Sequence, residues 1–297
     1  MGLDVNGTRF LLSARRRGVS FLKTATIGRQ QMLIGAKLLH RNYRQFGYDL
    51  DLKAVEQLLI ESGGYAEPFF KLLGADETMS FDASDYEGAT CQHDFNQPIP
   101  DEFKNKFSVV LDGGSLEHVF NFPVAIKNCM EMVREGGHFL AITPTNNHCG
   151  HGFYQFSPEL YFRTFSRANG FEIEQVAVFE ETFNPPWYEV SDPADVKERV
   201  MLINSEPSML LITAKKLKNV EIFAEPPQQS DYLTTWNASG EINTAVINNR
   251  SSPSVFNRIA RLPFSALHRA RVLVDRSLGM LNKDHKHFRK MDLDESE

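Results

Sequence analysis

Several side chains able to move a proton or hold a ligand crowd into one short loop. Residues 144–156 read PTNNHCGHGFYQF and carry His148, His151 and Tyr154. An imidazole with its ordinary pKa of about 6.5 suits a general base at neutral pH. Glycines flank His151 on both sides and leave it room for close approach, so His151 is preferred over His148 for that role. Three carboxylates form a second group: Asp82, Asp94 and Asp112 each lie at the end of a short expected strand. A carboxylate so placed can accept two hydrogen bonds from a diol, with charge-assisted strength. Gly113 and Gly114 follow Asp112, and a chain without Cβ atoms lets a ligand come close to the backbone. Other chemistries are absent: there is no GxSxG, no GxxxxGK[ST] and no CxxC. The His-Cys-Gly-His spacing fits no common structural zinc pattern, so no metal is expected.

These groups need a scaffold that brings them together. Phe107–Leu111 is an apolar run that stops at Asp112, a helical pattern covers 123–133, and Gly136-Gly137 precedes a second apolar run, 138–143. Strand, helix and strand in that order imply a parallel pair, with a ligand site at the strands' carboxyl ends. Further strands are expected over 19–27, ending at Gly28, and over 78–81, 89–93, 171–179 and 208–214. The segment between Asp82 and Ala89 is too short for a helix. Residues 31–61 are mostly helical in pattern, and Ser157-Pro158-Glu159 is a helix start. Residues 180–207, long and rich in proline with Trp187 and Tyr188, could cover the site.

The strand ending in Asp112, the LEHV segment (116–119) and VREGGHFLAITP (133–144) resemble the second half of class I S-adenosylmethionine-dependent methyltransferases. The resemblance implies an α/β fold: a Rossmann-like seven-stranded sheet, mostly parallel with the last strand antiparallel, and helices on both faces, over residues 19–217. It implies S-adenosylmethionine as cofactor. Gly28 would stand in the glycine-rich loop, Asp82 at the ribose, and Asp94 with Phe95 at the adenine. Asp112, Gly113, Gly114 and Leu116 would lie along the rest of the cofactor, with Glu117 and His118 beside them. His148, His151 and Tyr154 would meet the methyl acceptor, an oxygen or nitrogen of a small molecule or glycan. The loop at Gly28 departs from the family in having one glycine where about three are usual. A methyltransferase-like domain that binds a partner and has lost the cofactor is therefore the alternative.

The chain has 297 residues, 42% of them hydrophobic, enough for a sizeable core. Its net charge of -6 argues against general nucleic-acid binding. Residues 1–18 read as a polar, irregular extension, 218–250 as a linker and 251–297 as a basic helical tail. Residues 250–290 hold ten Lys or Arg against two Asp, a net of +8, which leaves -14 on the remainder. The tail's imperfect apolar face could meet anionic lipid or a partner. No apolar run approaches the roughly 20 residues needed to span a bilayer. Three cysteines, an odd number, fit a reducing compartment, so a cytoplasmic protein is expected.

Overall fold

The computed structural model describes residues 2–182, 184–232 and 284–293. In chain order its elements are β1 (Gly2–Leu3), α1 (Val5–Arg16), β2 (Lys23–Ile27), β3 (Gln31–Met32), α2 (Ala36–Gln45), α3 (Leu52–Glu61), α4 (Glu67–Leu72), β4 (Glu77–Asp82), β5 (Cys91–Gln92), β6 (Phe107–Asp112), α5 (Phe122–Met132), β7 (Val133–Asn146), α6 (Pro158–Thr164), β8 (Phe171–Glu180), β9 (Tyr188–Val190), α7 (Pro193–Val196), β10 (Ser208–Lys216) and β11 (Phe288–Lys290). The main sheet runs β11-β9-β8-β10-β7-β6-β2-β4-β5. All seven expected strands are present and adjacent in it. Pairings β5-β4-β2-β6-β7 are parallel, while β10 is antiparallel to both its neighbours, β7 and β8. Among the described residues, strands β9 and β11 extend the edge and bring these seven strands to nine.

Period-two alternation sends side chains to two cores. Val110, Phe139, Ala141, Leu210 and Ile212 pack with α5 residues such as Ile126 and Met130. Val109, Leu111, Leu140, Ile142 and Leu211 pack on the other face with Phe10, Leu11 and Leu12 of α1. At the far end of α5, buried Lys216 donates to the carbonyls of Met130 and Val133 and to Asn105 Oδ1. These carbonyls lie where a helix leaves acceptors unpaired.

Helix α1 corrects the expectation of an irregular N-terminal segment. Asp4 caps it by accepting from the Gly7 amide at 2.7 Å. Its polar residues Asn6, Thr8, Arg9 and Ser13 are buried and do not face water. Asn42 Nδ2 donates to Thr8 Oγ1 at 2.9 Å, and the Arg9 guanidinium lies over the Trp187 ring at 5.1 Å. Residues 31–61 are mostly helical as expected, in α2 and α3, while Gln31–Met32 forms a strand paired with β1. Trp187 is fully buried beside Phe10 and Phe179, so it is core and not a lid. Most of the expected linker and basic helical tail lies outside the described residues. Of the tail's described part, 284–293, residues Phe288–Lys290 form an edge strand on β9.

Candidate active site

The carboxyl ends of β2, β4, β6 and β7 converge, as they must in a parallel sheet. Gly28 follows β2 with φ of +70° and donates its amide to Phe81 O at 2.7 Å. The loop is then pinned from outside: Arg29 pairs with Glu67 at 2.7 Å and stacks on Tyr65 at 3.7 Å. Gln30 turns inward and is 2% exposed. Its Nε2 donates to the carbonyls of Ile27 and Gly28, and a Cβ on Gly113 would lie 2.3 Å from its Oε1. Gln30 thus fills the crevice between the first and fourth strands, a role that its place after a strand did not announce. Gly63 and Gly64 lie beside this loop, with Gly64 O accepting from the Met32 amide at 2.8 Å.

Asp82 is half-buried at the end of β4, with Oδ1 accepting from the Ser84 amide at 3.1 Å. Asp94 is exposed, and its Oδ1 accepts from the backbone and side-chain nitrogens of Asn96, which together hold its carboxyl below the usual range. That is a capped turn. Phe95 is packed edge-on against Phe81 at 6.3 Å, inside the core. Leu116 is also fully buried core. Phe95 turns into the core from the capped turn at Asp94, and Leu116 from the turn whose amides bond Asp112.

Asp112 is wholly buried. Its Oδ1 accepts from the amides of Ser115 at 2.8 Å and Leu116 at 3.2 Å, while Oδ2 has no hydrogen-bond partner. Burial, and then the charge of Glu117, push its carboxyl well above the usual range. Gly114, at φ of +91°, bends the chain back toward Glu117, whose Oε1 would lie 3.4 Å from a Cβ there. The Glu117 side chain is 0% exposed, neither of its oxygens is hydrogen-bonded, and burial raises its pKa to about 7.

The loop after β7 folds over this carboxylate. The amides of Phe153 and Tyr154 both donate to Glu117 O, at 2.8 and 3.2 Å. Gly152 makes the contact possible: its φ is +72°, and a Cβ would lie 2.8 Å from Glu117 O. His151 Nε2 consequently sits 3.5 Å from Glu117 Oε1, and its ring centre is 5.0 Å from that of His118. Burial, and then His151, lower the His118 pKa. His148 stands next, 5.9 Å from His151 ring to ring, with Nε2 3.4 Å from Glu181. Tyr154 is engaged elsewhere, its hydroxyl donating to Phe120 O at 2.6 Å. The structure therefore joins His148 and His151 with Glu117 and His118. Glu181 was not expected here; it arrives from the end of β8 with no local signal. Asn204, equally unannounced, fixes the loop base through bonds with Asn146 and Asn147.

In the order of the chain, six of the seven expected strands are parallel and the seventh lies antiparallel between the fifth and sixth. The fold is that of class I methyltransferases. No family model matches the chain, and no curated protein matches its sequence. Solved structures with related folds include an S-adenosylmethionine-dependent methyltransferase from Mesorhizobium loti, 15% identical with a TM-score of 0.39, covering 71% of this chain and 100% of the other. Another is 1,6-didemethyltoxoflavin-N1-methyltransferase from Burkholderia thailandensis, 12% identical with a TM-score of 0.37, covering 72% and 78%. The branched-chain polyamine synthase from Thermus thermophilus is 12% identical with a TM-score of 0.35, covering 75% and 60%.

Proposed function

We propose that this chain transfers the methyl group of S-adenosylmethionine to an oxygen or nitrogen of a small molecule or glycan. The observation that carries the reading is β10, inserted antiparallel between β7 and β8, which run parallel to each other and to β6, β2, β4 and β5. A nicotinamide-dependent oxidoreductase on a similar sheet is disfavoured by the missing GxGxxG and leaves the Leu-Glu-His segment unexplained.

The residues at the strand ends fit the cofactor in part. Asp82 has Oδ1 engaged and Oδ2 free for ribose hydroxyls. Gln30 Oε1 and Asp112 Oδ2 are buried acceptors without a donor, which the cofactor's amino group would supply. The adenine end fits less well, since Asp94 caps its own turn and Phe95 is core. When bound, the cofactor brings a methyl group already activated by a sulfonium, so the protein's part is alignment. Glu117 and His151 stand on the acceptor side and would handle the acceptor's polar atom. Phe120 and Phe153, 72% and 66% exposed and edge-to-face at 5.8 Å, offer apolar surface beside it.

A second reading has its own support. Gln30 fills the crevice above Gly113, and the loop has a single glycine, as in a domain that binds a partner but no cofactor. Calorimetric titration with S-adenosylhomocysteine separates the two. Binding is expected, and Asp82→Ala should weaken it roughly 10- to 100-fold, the worth of a charge-assisted hydrogen bond. No heat at millimolar ligand would leave the second reading standing. Unchanged affinity in Asp82→Ala would remove Asp82 from the ribose.

A further inference from the structure

We propose that Glu117, His118 and His151 form a binding site for one divalent transition-metal ion. Each of the three offers a ligand atom, and these atoms lie within 4.8 Å of one another. The first two come from the turn after β6 and the third from the loop after β7, so the triad exists only once the sheet has formed.

Three features make this a built site. The Glu117 carboxylate is 0% exposed and unbonded, and it points at His151 Nε2 from 3.5 Å. A buried carboxylate without donors is costly, and a cation removes the cost. The two loops are locked by backbone bonds from Phe153 and Tyr154 to Glu117 O, so the approach of His151 does not rest on the side chains alone. Gly152 lies against the cluster, where a Cβ would sit 3.1 Å from His118 Nδ1. Ligands about 2.1 Å from a shared ion lie roughly 3 to 3.5 Å apart, and the two exposed imidazoles can close that distance by rotating.

The donor set names the class of ion. Two imidazoles and one carboxylate suit zinc, iron, cobalt, nickel or manganese, whereas magnesium and calcium take oxygen ligands. Three protein ligands leave positions open, as catalytic sites do and closed structural zinc sites do not. With the ion in place His151 is a ligand rather than a free base, and an acceptor oxygen can take an open position. The proposal stands independently of methyl transfer and holds equally for a chain that binds no cofactor. It departs from the expectation of no metal, since Glu117 and His118 come from a different loop than His151.

The test uses the full chain, free of affinity tags, stripped with chelator and titrated with cobalt(II) chloride alone. One cobalt per chain is expected, with a visible d–d absorption band. His118→Ala, His151→Ala and Glu117→Gln should each weaken binding by more than the roughly 10- to 100-fold that changes behind the ligands cost. Cys149→Ser and His93→Ala should leave the titration unchanged. Circular dichroism confirms that the variants fold; His118 and His151 are exposed, so their replacement leaves the core intact. No band, or a titration unaltered by His118→Ala and His151→Ala, overturns the proposal, as does loss of binding in Cys149→Ser. The readout needs no S-adenosylmethionine, so a failed cofactor titration and a failed cobalt titration remain separate results.

Discussion

Gly137→Ala should destabilise the chain by about 2–3 kcal/mol, the cost of forcing atoms into a filled space. A Cβ there would lie 2.9 Å from Ser108 O, 3.0 Å from Arg134 O and 3.0 Å from Phe107 O. All three are backbone atoms, so no rotamer change relieves the clash. Strands β6 and β7 would have to part next to their register shift between Phe107 and Val109. Two neighbours calibrate the result. Gly136 has open space but φ of +73°, so Gly136→Ala should cost about 1 kcal/mol from the left-handed backbone alone. Gly150 has open space and no positive φ, and Gly150→Ala should be neutral within about 0.5 kcal/mol. Urea denaturation of the three variants checks the order. Equal values for Gly137→Ala and Gly150→Ala would mean the strands move apart freely.

That pair of glycines shows how far local pattern reaches. Gly136-Gly137 reads as the stop of a helix, but α5 already ends at Met132 and both glycines lie inside β7. The second glycine's role, close packing of strand on strand, depends on a partner almost thirty residues away and leaves no local mark. The strands were legible for the same reason. Four of the seven are short runs closed by Asp or Gly, and burial on both faces makes the central ones, such as 107–111 and 138–143, nearly continuous in apolar residues. Helix α1 was not, because its buried Thr8, Asn6 and Ser13 look like surface residues until neighbouring elements pair or cover them. At the site, Asp82, Asp112 and the histidine loop were legible as strand ends. Gln30 in the crevice and Glu117 beneath His151 were not, since both follow from one loop lying over another.

Glu117→Gln should make the chain more stable, by about 1–2 kcal/mol in metal-free buffer at neutral pH, while removing cobalt binding and, on the methyltransferase reading, turnover. The stability gain follows from what surrounds the carboxylate. It is fully buried, its oxygens are unbonded, and burial holds its pKa near 7. Asp112, also wholly buried, has an unpartnered oxygen and feels the charge of Glu117. An amide of the same shape removes one of two interacting buried charges and brings donors into a pocket with unpartnered acceptors. A residue kept for folding would behave in the opposite way, since replacing a group whose bonds hold the structure costs stability. Thermal unfolding with chelator present gives the stability side, and cobalt titration gives the functional side. A variant that is less stable and still binds cobalt would make Glu117 a structural acid. A variant that is more stable and binds none would mark the carboxylate as kept at the expense of the fold, for the cation that the two imidazoles help to hold.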